Sequence, residues 1–556
     1  MYTGSVKISK TVNISSRIRE MARSHPHARA VVWPVRRDKS GRMAYAHLTF
    51  AELERAGDAY ARGLARAGVG RGVKTIVMVK PGVEFFGVML GLLRAGAVPV
   101  LVDPGMGVRR MLHCLSETGA RAFIGIPVAH VLRVLAPRFF KSVKIAVTAG
   151  RRLFWGGLSL GEVRVEGDTP FAIAATKADE LAMVAFTTGS TGPAKGVEFT
   201  WGMMEAQVES LRSAYGVGYG DIGLHTFPAF ALFDGCLGAT TVVPDMDPTK
   251  PAQVNPENII GPILDHGVTY MFGSPALTGR VGRYGRERGI RLPSLKRVIT
   301  AGAPVSPRVI EDFSSMLEGD GDIYTPYGAT EALPIASISG KEIMDDTRRL
   351  SEQGRGNCVG RPVAGMDVRI IKISDEPVRR WSDGLELPDG AIGEIAVCGR
   401  QVSARYHNRP DADAMAKIRR GKETVHRMGD LGWKDAKGRV WMCGRMKHRV
   451  RTVKGDLYSV PCEAVFNNHP AVFRSALVGV GESAEKTPVI CIELKEKASR
   501  ARKRAIREEL LALARANSLT ADIRTVLFHP SFPVDVRHNA KIFREKLAVW
   551  AAGEVK

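Results

Sequence analysis

The chain has 556 residues, 45% of them hydrophobic and 25% charged, and its 80 Lys+Arg against 57 Asp+Glu leave a net charge of +23. These proportions belong to a folded globular enzyme and exclude a disordered chain; the length allows roughly three to four structural units. The basic excess is compatible with an acidic substrate, an anionic membrane surface or nucleic acid, and does not choose among them.

The first residues, MYTGSVKISKTVN, lack the apolar core of a signal peptide. Apolar runs such as VMLGLLRAGAVPVLVD are interrupted by charge and too short to span a bilayer. The seven cysteines are scattered and contain no CxxC pair, which argues for free thiols and against a disulfide framework or a zinc site. A cytoplasmic location is expected, with peripheral membrane contact left open.

In chain order, LTFAELERAGDAYARGLARAG (48–68) carries apolar residues at helical spacing and ends on glycine. TIVMVK (75–80) predicts a strand, FFGVMLGLLRAG a helix and AVPVLVD (97–103) a second strand. This β–helix–β rhythm implies parallel strands covered by helices on both faces. LAMVAFTTGSTGPAKGVEF sets a buried strand, Leu181 to Phe186, directly before a glycine-rich loop. The rhythm returns in ENIIGPILDHG (helix), VTYMFGSP (strand) and LKRVITAGAP, a buried strand ending in a turn. Around 390–445 the texture changes to short strands with tight turns, and AKG followed by RVWM signals a hairpin. From Lys447 a fresh α/β pattern begins, so a boundary is expected there, dividing the chain into 1–446 and 447–556. KEKASRARKRAIREE (495–509) reads as the solvated face of an amphipathic helix. Without interleaved aromatics or a binding motif, nucleic acid is not expected as a partner.

The loop TTGSTGPAKG is suited to an anion. Its glycines let backbone N–H groups converge, the hydroxyls of Thr187, Thr188, Ser190 and Thr191 add donors, and Lys195 adds charge. It is not the common P-loop, because Lys195 is followed by Gly196 rather than by Ser or Thr. Four further stretches follow in order: ITAGAPVS (299–306), YTPYGATEA (324–332), HRMGDLG (426–432) with CGRMKHRV (443–450), and HNAKIFR (538–544). With the loop, they resemble the ordered core motifs of the adenylate-forming superfamily, from about Leu48 to the C-terminus.

The resemblance implies an α/β fold with a large N-terminal domain of stacked sheets and helices, plus a small mobile C-terminal α/β domain. It also implies attack of a carboxylate on the α-phosphorus of ATP, with Mg²⁺ present, giving an acyl-adenylate and pyrophosphate. Charge then accumulates on phosphoryl oxygens, where donors and cations stabilise it. By resemblance, Thr187, Thr188, Gly189, Ser190, Thr191, Gly192 and Lys195 hold the β- and γ-phosphates. Thr330 contacts the α-phosphate and Glu331 supplies the hard oxygen that Mg²⁺ prefers. Tyr327, followed by Gly328, stacks on adenine, with Gly302, Ala303 and Pro304 on the opposite side of the base. Asp430, following Gly429 in a turn, accepts the ribose hydroxyls, and Arg445 reinforces the ribose or phosphate contact. Lys447 occupies the hinge position, and Lys541 reaches the α-phosphate and carboxylate during adenylation. Met428 stands where threonine is usual and Ala540 where glycine is common.

Many ligases of this superfamily carry a histidine in a Pro-x-x-His stretch after the loop. FPAFALFDGCLG (227–238) has Ala231 in that position, and Trp201 stands where many relatives have another histidine. Both weaken the expectation of a coenzyme A thioester product. The segments 227–252, 272–277, 324–338 and 533–550 resemble a narrower group, the β-lactone synthetases of bacterial long-chain olefin biosynthesis. That resemblance implies a 2-alkyl-3-hydroxyalkanoic acid whose 3-hydroxyl displaces AMP, and partner enzymes that make the acid and decarboxylate the lactone. An intramolecular nucleophile gains a large effective molarity. Phe227, Phe230, Leu232, Phe233 and Leu237 read equally as pocket lining or as core. The base for closure does not follow from the residues; His225 and Asp234 lie in this segment with suitable chemistry, though such residues are more often structural. The alternatives are a long-chain acyl-CoA ligase on the same scaffold and a non-catalytic nucleotide-binding scaffold.

Overall fold

The structure, a computed structural model, describes residues 12–187, 194–482, 484–534 and 542–555. The first amphipathic segment forms the helix Phe50–Arg66, opened by a capping box in which Thr49 and Glu52 satisfy each other's backbone N–H. It packs on the apolar helix Val83–Arg94. The buried Arg94 guanidinium of that helix reaches Asp58 of the first at 2.6 Å. The strands flanking the apolar helix, Lys74–Met78 and Val98–Val102, run parallel and sit in a seven-stranded sheet. The same sheet ends in the antiparallel pair Leu181–Thr187 and Lys195–Thr200, with Thr187 opposite Lys195.

A second, 14-stranded sheet changes character along its length. Ile222–His225, Tyr270–Gly273, Arg297–Thr300 and Asp322–Ala329 are parallel neighbours. Asp322–Ala329 then folds back antiparallel onto Ala332–Ser339. The sheet continues through the antiparallel strands Gly393–Gly399, Glu423–Lys434 and Val440–Arg445. The change of texture expected around 390–445 is therefore a switch from crossover to hairpin connections within one sheet. Apolar clusters fill the space between sheets and helices, with Phe50, Met89, Trp201 and Val197 at the centre of the largest.

The C-terminal part has its own three-stranded sheet, Val472–Val480, Thr487–Leu494 and Thr525–Phe528. The basic segment becomes the helix Arg500–Ala516, whose Ile506, Leu510 and Ala514 face inward while Arg502 and Arg504 remain solvated. The large and small α/β parts correspond to the fold class expected. All seven cysteines are free and buried. Among the described residues no helix is long and apolar enough to cross a membrane.

Candidate active site

Ligands of open α/β sheets gather outside the carboxyl ends of parallel strands. Here Arg297–Thr300 delivers Gly302, Ala303 and Pro304 to that edge, and Asp322–Ala329 delivers Tyr327 and Gly328. Thr330 and Glu331 form the two-residue tip between Asp322–Ala329 and its antiparallel partner. All of them line one cleft of about 3270 Å³, together with Lys195, Asp430, Arg445 and Lys447. The structure thus brings together every expected site residue whose side chain it describes; the backbone of Thr187 ends the strand leading into the loop. Thr188, Gly189, Ser190, Thr191, Gly192 and Lys541 lie outside the described residues.

Asp430 does not sit in a simple turn. It lies within the long strand Glu423–Lys434, opposite Arg445 in the antiparallel register. Beside it the pairing with Gly393–Gly399 slips between Glu394 and Ala396, and Gly429 takes a left-handed φ of 66°. This bulge re-aims the carboxylate without ending the strand. Asp430 Oδ2 accepts the phenol proton of Tyr327 at 2.7 Å, while Oδ1 lies 3.1 Å from Arg445 Nε. That Oδ1 is buried and has no aligned hydrogen bond, an acceptor left over for a ligand hydroxyl. Burial raises the Asp430 carboxyl above its ordinary range, opposed by Arg445. Burial and then Asp430 push the Tyr327 phenol well above 10.0, so it remains a donor.

Glu331 belongs to a second knot of charge. Its Oε1 accepts from Tyr406 Oη at 2.8 Å. Lys195 Nζ lies 4.7 Å and Lys417 Nζ 5.2 Å from the centre of the Tyr406 ring, both within cation–π range. Lys417 also donates to the Ser403 carbonyl at 2.6 Å and to Ser403 Oγ at 3.0 Å. Desolvation lowers both ammonium groups, Lys417 to about 8. Two cations and a carboxylate around one phenol form a site for an anion together with a hard cation. Sequence reasoning missed Tyr406 and Lys417. The stretch RYHNRP next to Tyr406 was the available signal; Lys417 has none in its own segment. Also missed was Arg427, buried beneath the HRMGD bulge, with Nη2 2.7 Å from Glu394 Oε2.

In the 227–238 segment the two readings divide by residue. Phe227 and Phe230 line the cleft, Phe233 is a core residue that also borders it, Leu237 is core and Leu232 packs on the other side of the helix Pro228–Leu237. Ala231 and Trp201 are buried core residues. Met428 is buried against the cluster around Ile335 and Val397. His225 and Asp234 come together, Nε2 lying 2.7 Å from Oδ2.

The donor set fits a nucleotide with a magnesium ion. Among the described residues no group of three or more His, Cys, Asp or Glu side chains could hold a metal ion. Glu331 would therefore hold Mg²⁺ as a single protein carboxylate, the pattern for a magnesium ion shared with substrate phosphates.

The fold and the cleft suit an adenylate-forming enzyme, and the comparisons show that class. The family model described as "AMP-binding enzyme" matches residues 18–407. The chain is 46% identical over 558 residues to the olefin beta-lactone synthetase of Stenotrophomonas maltophilia (strain K279a), covering 99% of this chain and 100% of the relative. Among solved structures it resembles an amide bond synthetase from Marinactinospora thermotolerans, with a TM-score of 0.77, 23% identity, and 97% and 99% of the two chains covered. It also resembles the O-succinylbenzoate Coenzyme A synthetase of Bacillus subtilis in complex with ATP and magnesium ion, with a TM-score of 0.72, 20% identity, and 96% and 98% covered. The chain belongs to the AMP-binding enzyme family and, within it, to the group of the olefin beta-lactone synthetases.

Proposed function

We propose that the chain adenylates a long-chain 2-alkyl-3-hydroxyalkanoic acid with ATP and then closes it to a β-lactone, releasing pyrophosphate and AMP. The observation that carries this reading is the full-length 46% identity to an olefin beta-lactone synthetase. It is joined by a cleft wall of Phe227, Phe230 and Phe272 beside the expected nucleotide residues. The Asp430–Arg445–Tyr327 group holds the ribose and base, with Gly302, Ala303, Pro304 and Gly328 against the base. Thr330, Lys195 and the loop residues Thr187, Thr188, Gly189, Ser190, Thr191 and Gly192 bind the phosphates. Mg²⁺, held by Glu331, supplies charge neutralisation on the phosphoryl oxygens. Lys541 completes adenylation; Ile542, Phe543 and Arg544, which follow it, line the cleft.

The boundary between the two domains falls at Lys447, within the short turn Met446–His448, and the small domain moves about it during the cycle. Seven unpaired cysteines support a cytoplasmic setting. Exposed Val108 and Val128, both on the cleft wall, favour peripheral membrane contact during delivery of long chains. The substrate's chemistry calls for a partner that makes the hydroxy acid and another that decarboxylates the lactone. The rival reading is a long-chain acyl-CoA ligase. Enzyme, ATP, Mg²⁺ and the hydroxy acid incubated with and without coenzyme A separate the two. AMP release that is complete without coenzyme A is expected; strict dependence on coenzyme A would sink the proposal. Lys541→Ala is expected to abolish pyrophosphate release.

A further inference from the structure

We infer that His225 is the general base for ring closure, with Asp234 holding its imidazole; this rests on the β-lactone reading above. His225 ends the strand Ile222–His225, at the carboxyl edge where the cleft opens, and lines that cleft. The chain then turns into the helix Pro228–Leu237, which returns Asp234 beneath it. Asp234 is held from two other strands. Tyr270 Oη donates to its Oδ1 at 2.6 Å and Thr241 Oγ1 to its Oδ2 at 2.7 Å. Gly223 makes room for this arrangement, since a Cβ there would lie 2.7 Å from Tyr270 Oη and 2.8 Å from Asp234 Oδ2.

His225 is only 7% exposed and Asp234 only 2%. Nε2 of His225 approaches Oδ2 of Asp234 to 2.7 Å, yet neither ring nitrogen has an aligned hydrogen-bond partner. Among the described residues the half-buried His266 also has an unpaired Nε2, but it does not line the cleft, and the other fully buried histidines are partnered. His130 bonds the Val147 carbonyl, His407 Glu198, His426 the Ala416 carbonyl and His469 Glu509. An unsatisfied buried imidazole on a cleft wall calls for a ligand that satisfies it. The wall around it is aromatic, with the rings of Phe230 and Phe272 4.3 Å apart, so an alkyl chain bearing one hydroxyl fits both halves of the surface.

A proton on Nε2, the nitrogen 2.7 Å from Asp234 Oδ2, leaves the lone pair on Nδ1. Nδ1 takes the proton of the substrate's 3-hydroxyl, and that oxygen forms a bond to the acyl carbon of the adenylate. The bond from this carbon to the phosphate oxygen breaks and AMP leaves with the electron pair. The imidazolium rests against the Asp234 carboxylate until it returns its proton to solvent. The charged and titratable groups facing His225 are Asp234 from the helix and Tyr270 from the neighbouring strand; behind Tyr270 stand Arg297 and Asp221, themselves ion-paired.

The test uses the full chain, His225→Gln and Asp234→Asn, following pyrophosphate release and lactone formation in single turnovers. His225→Gln is expected to slow closure at least about a hundredfold more than pyrophosphate release. The hydroxyacyl-adenylate then accumulates or hydrolyses. Asp234→Asn should slow closure selectively as well. A 2-alkyl acid lacking the 3-hydroxyl reports adenylation alone and should be activated by both variants. Unchanged closure in His225→Gln overturns the inference. So does loss of closure and pyrophosphate release in equal measure in both variants, which marks the pair as structural. A wild-type enzyme that releases pyrophosphate but makes no lactone overturns instead the reading on which the inference rests.

Discussion

Tyr406 and Glu331 are joined through the phenol hydroxyl, 2.8 Å from the carboxylate oxygen and 75 residues apart in the chain. The bond fixes the hairpin-tip carboxylate from outside its own hairpin, under the two ammonium groups of Lys195 and Lys417. Tyr406→Phe keeps the ring and removes the bond. A hydrogen bond to a charged group contributes about 1.5–3 kcal/mol, so adenylation should slow roughly ten- to hundredfold and need more Mg²⁺. Pyrophosphate release titrated with Mg²⁺ checks this; an unchanged magnesium requirement would contradict it.

Lys417 gives a pH signature. Burial brings its ammonium from 10.5 to about 8, so its charge near the phosphate region is lost as pH rises through that value. Adenylation should therefore decline on an alkaline limb near pH 8 that Lys417→Met removes. Stability carries the opposite sign. Between about 8 and 10.5 the unfolded chain binds the proton that the folded chain has released, so this group's contribution to stability rises with pH across that window. Thermal unfolding of the two proteins from pH 7.5 to 10, in steps of about half a unit, measures the difference.

Asp430 tests the nucleotide assignment. Asp430→Asn leaves the strand and its bulge intact but replaces a carboxylate that faces Arg445 and accepts from Tyr327. Loss of charge-assisted bonds to the ribose should lower kcat/KM for ATP by roughly ten- to hundredfold. The KM for the acid should change little. Equal effects on both substrates would argue for a folding defect.

The bulge itself rests on Arg427 and Glu394, both nearly inaccessible to solvent. Removing one partner of a buried ion pair costs about 3–5 kcal/mol. Glu394→Gln should lower Tm by several degrees in calorimetry and weaken ATP binding. A variant as stable as the wild type would show that the carbonyls around Arg427, those of Ser374, Glu376 and Met415, suffice to hold it.

Much of the candidate site was legible because its motifs are contiguous stretches on neighbouring strands and their hairpins. Tyr327, Thr330 and Glu331 share one hairpin, and Asp430 and Arg445 face each other across another. What was not legible depends on chain crossings. Lys417 reaches the Tyr406 ring only because its strand pairs with Glu423–Lys434. Asp430 read as a turn residue because glycine before an acid signals turns, whereas neighbouring strands hold that glycine in a bulge. His225 and Asp234 are candidates by their chemistry alone, but their approach depends on a strand–helix turn and on Tyr270 from another strand.

The central claim is the product. Enzyme, ATP, Mg²⁺ and a long-chain 2-alkyl-3-hydroxy acid, without coenzyme A, should give by mass spectrometry the acid less one water, with the infrared carbonyl band of a β-lactone and one AMP per turnover. Recovery of only unchanged acid with AMP, or a product that appears solely as a coenzyme A thioester when the thiol is added, would contradict it.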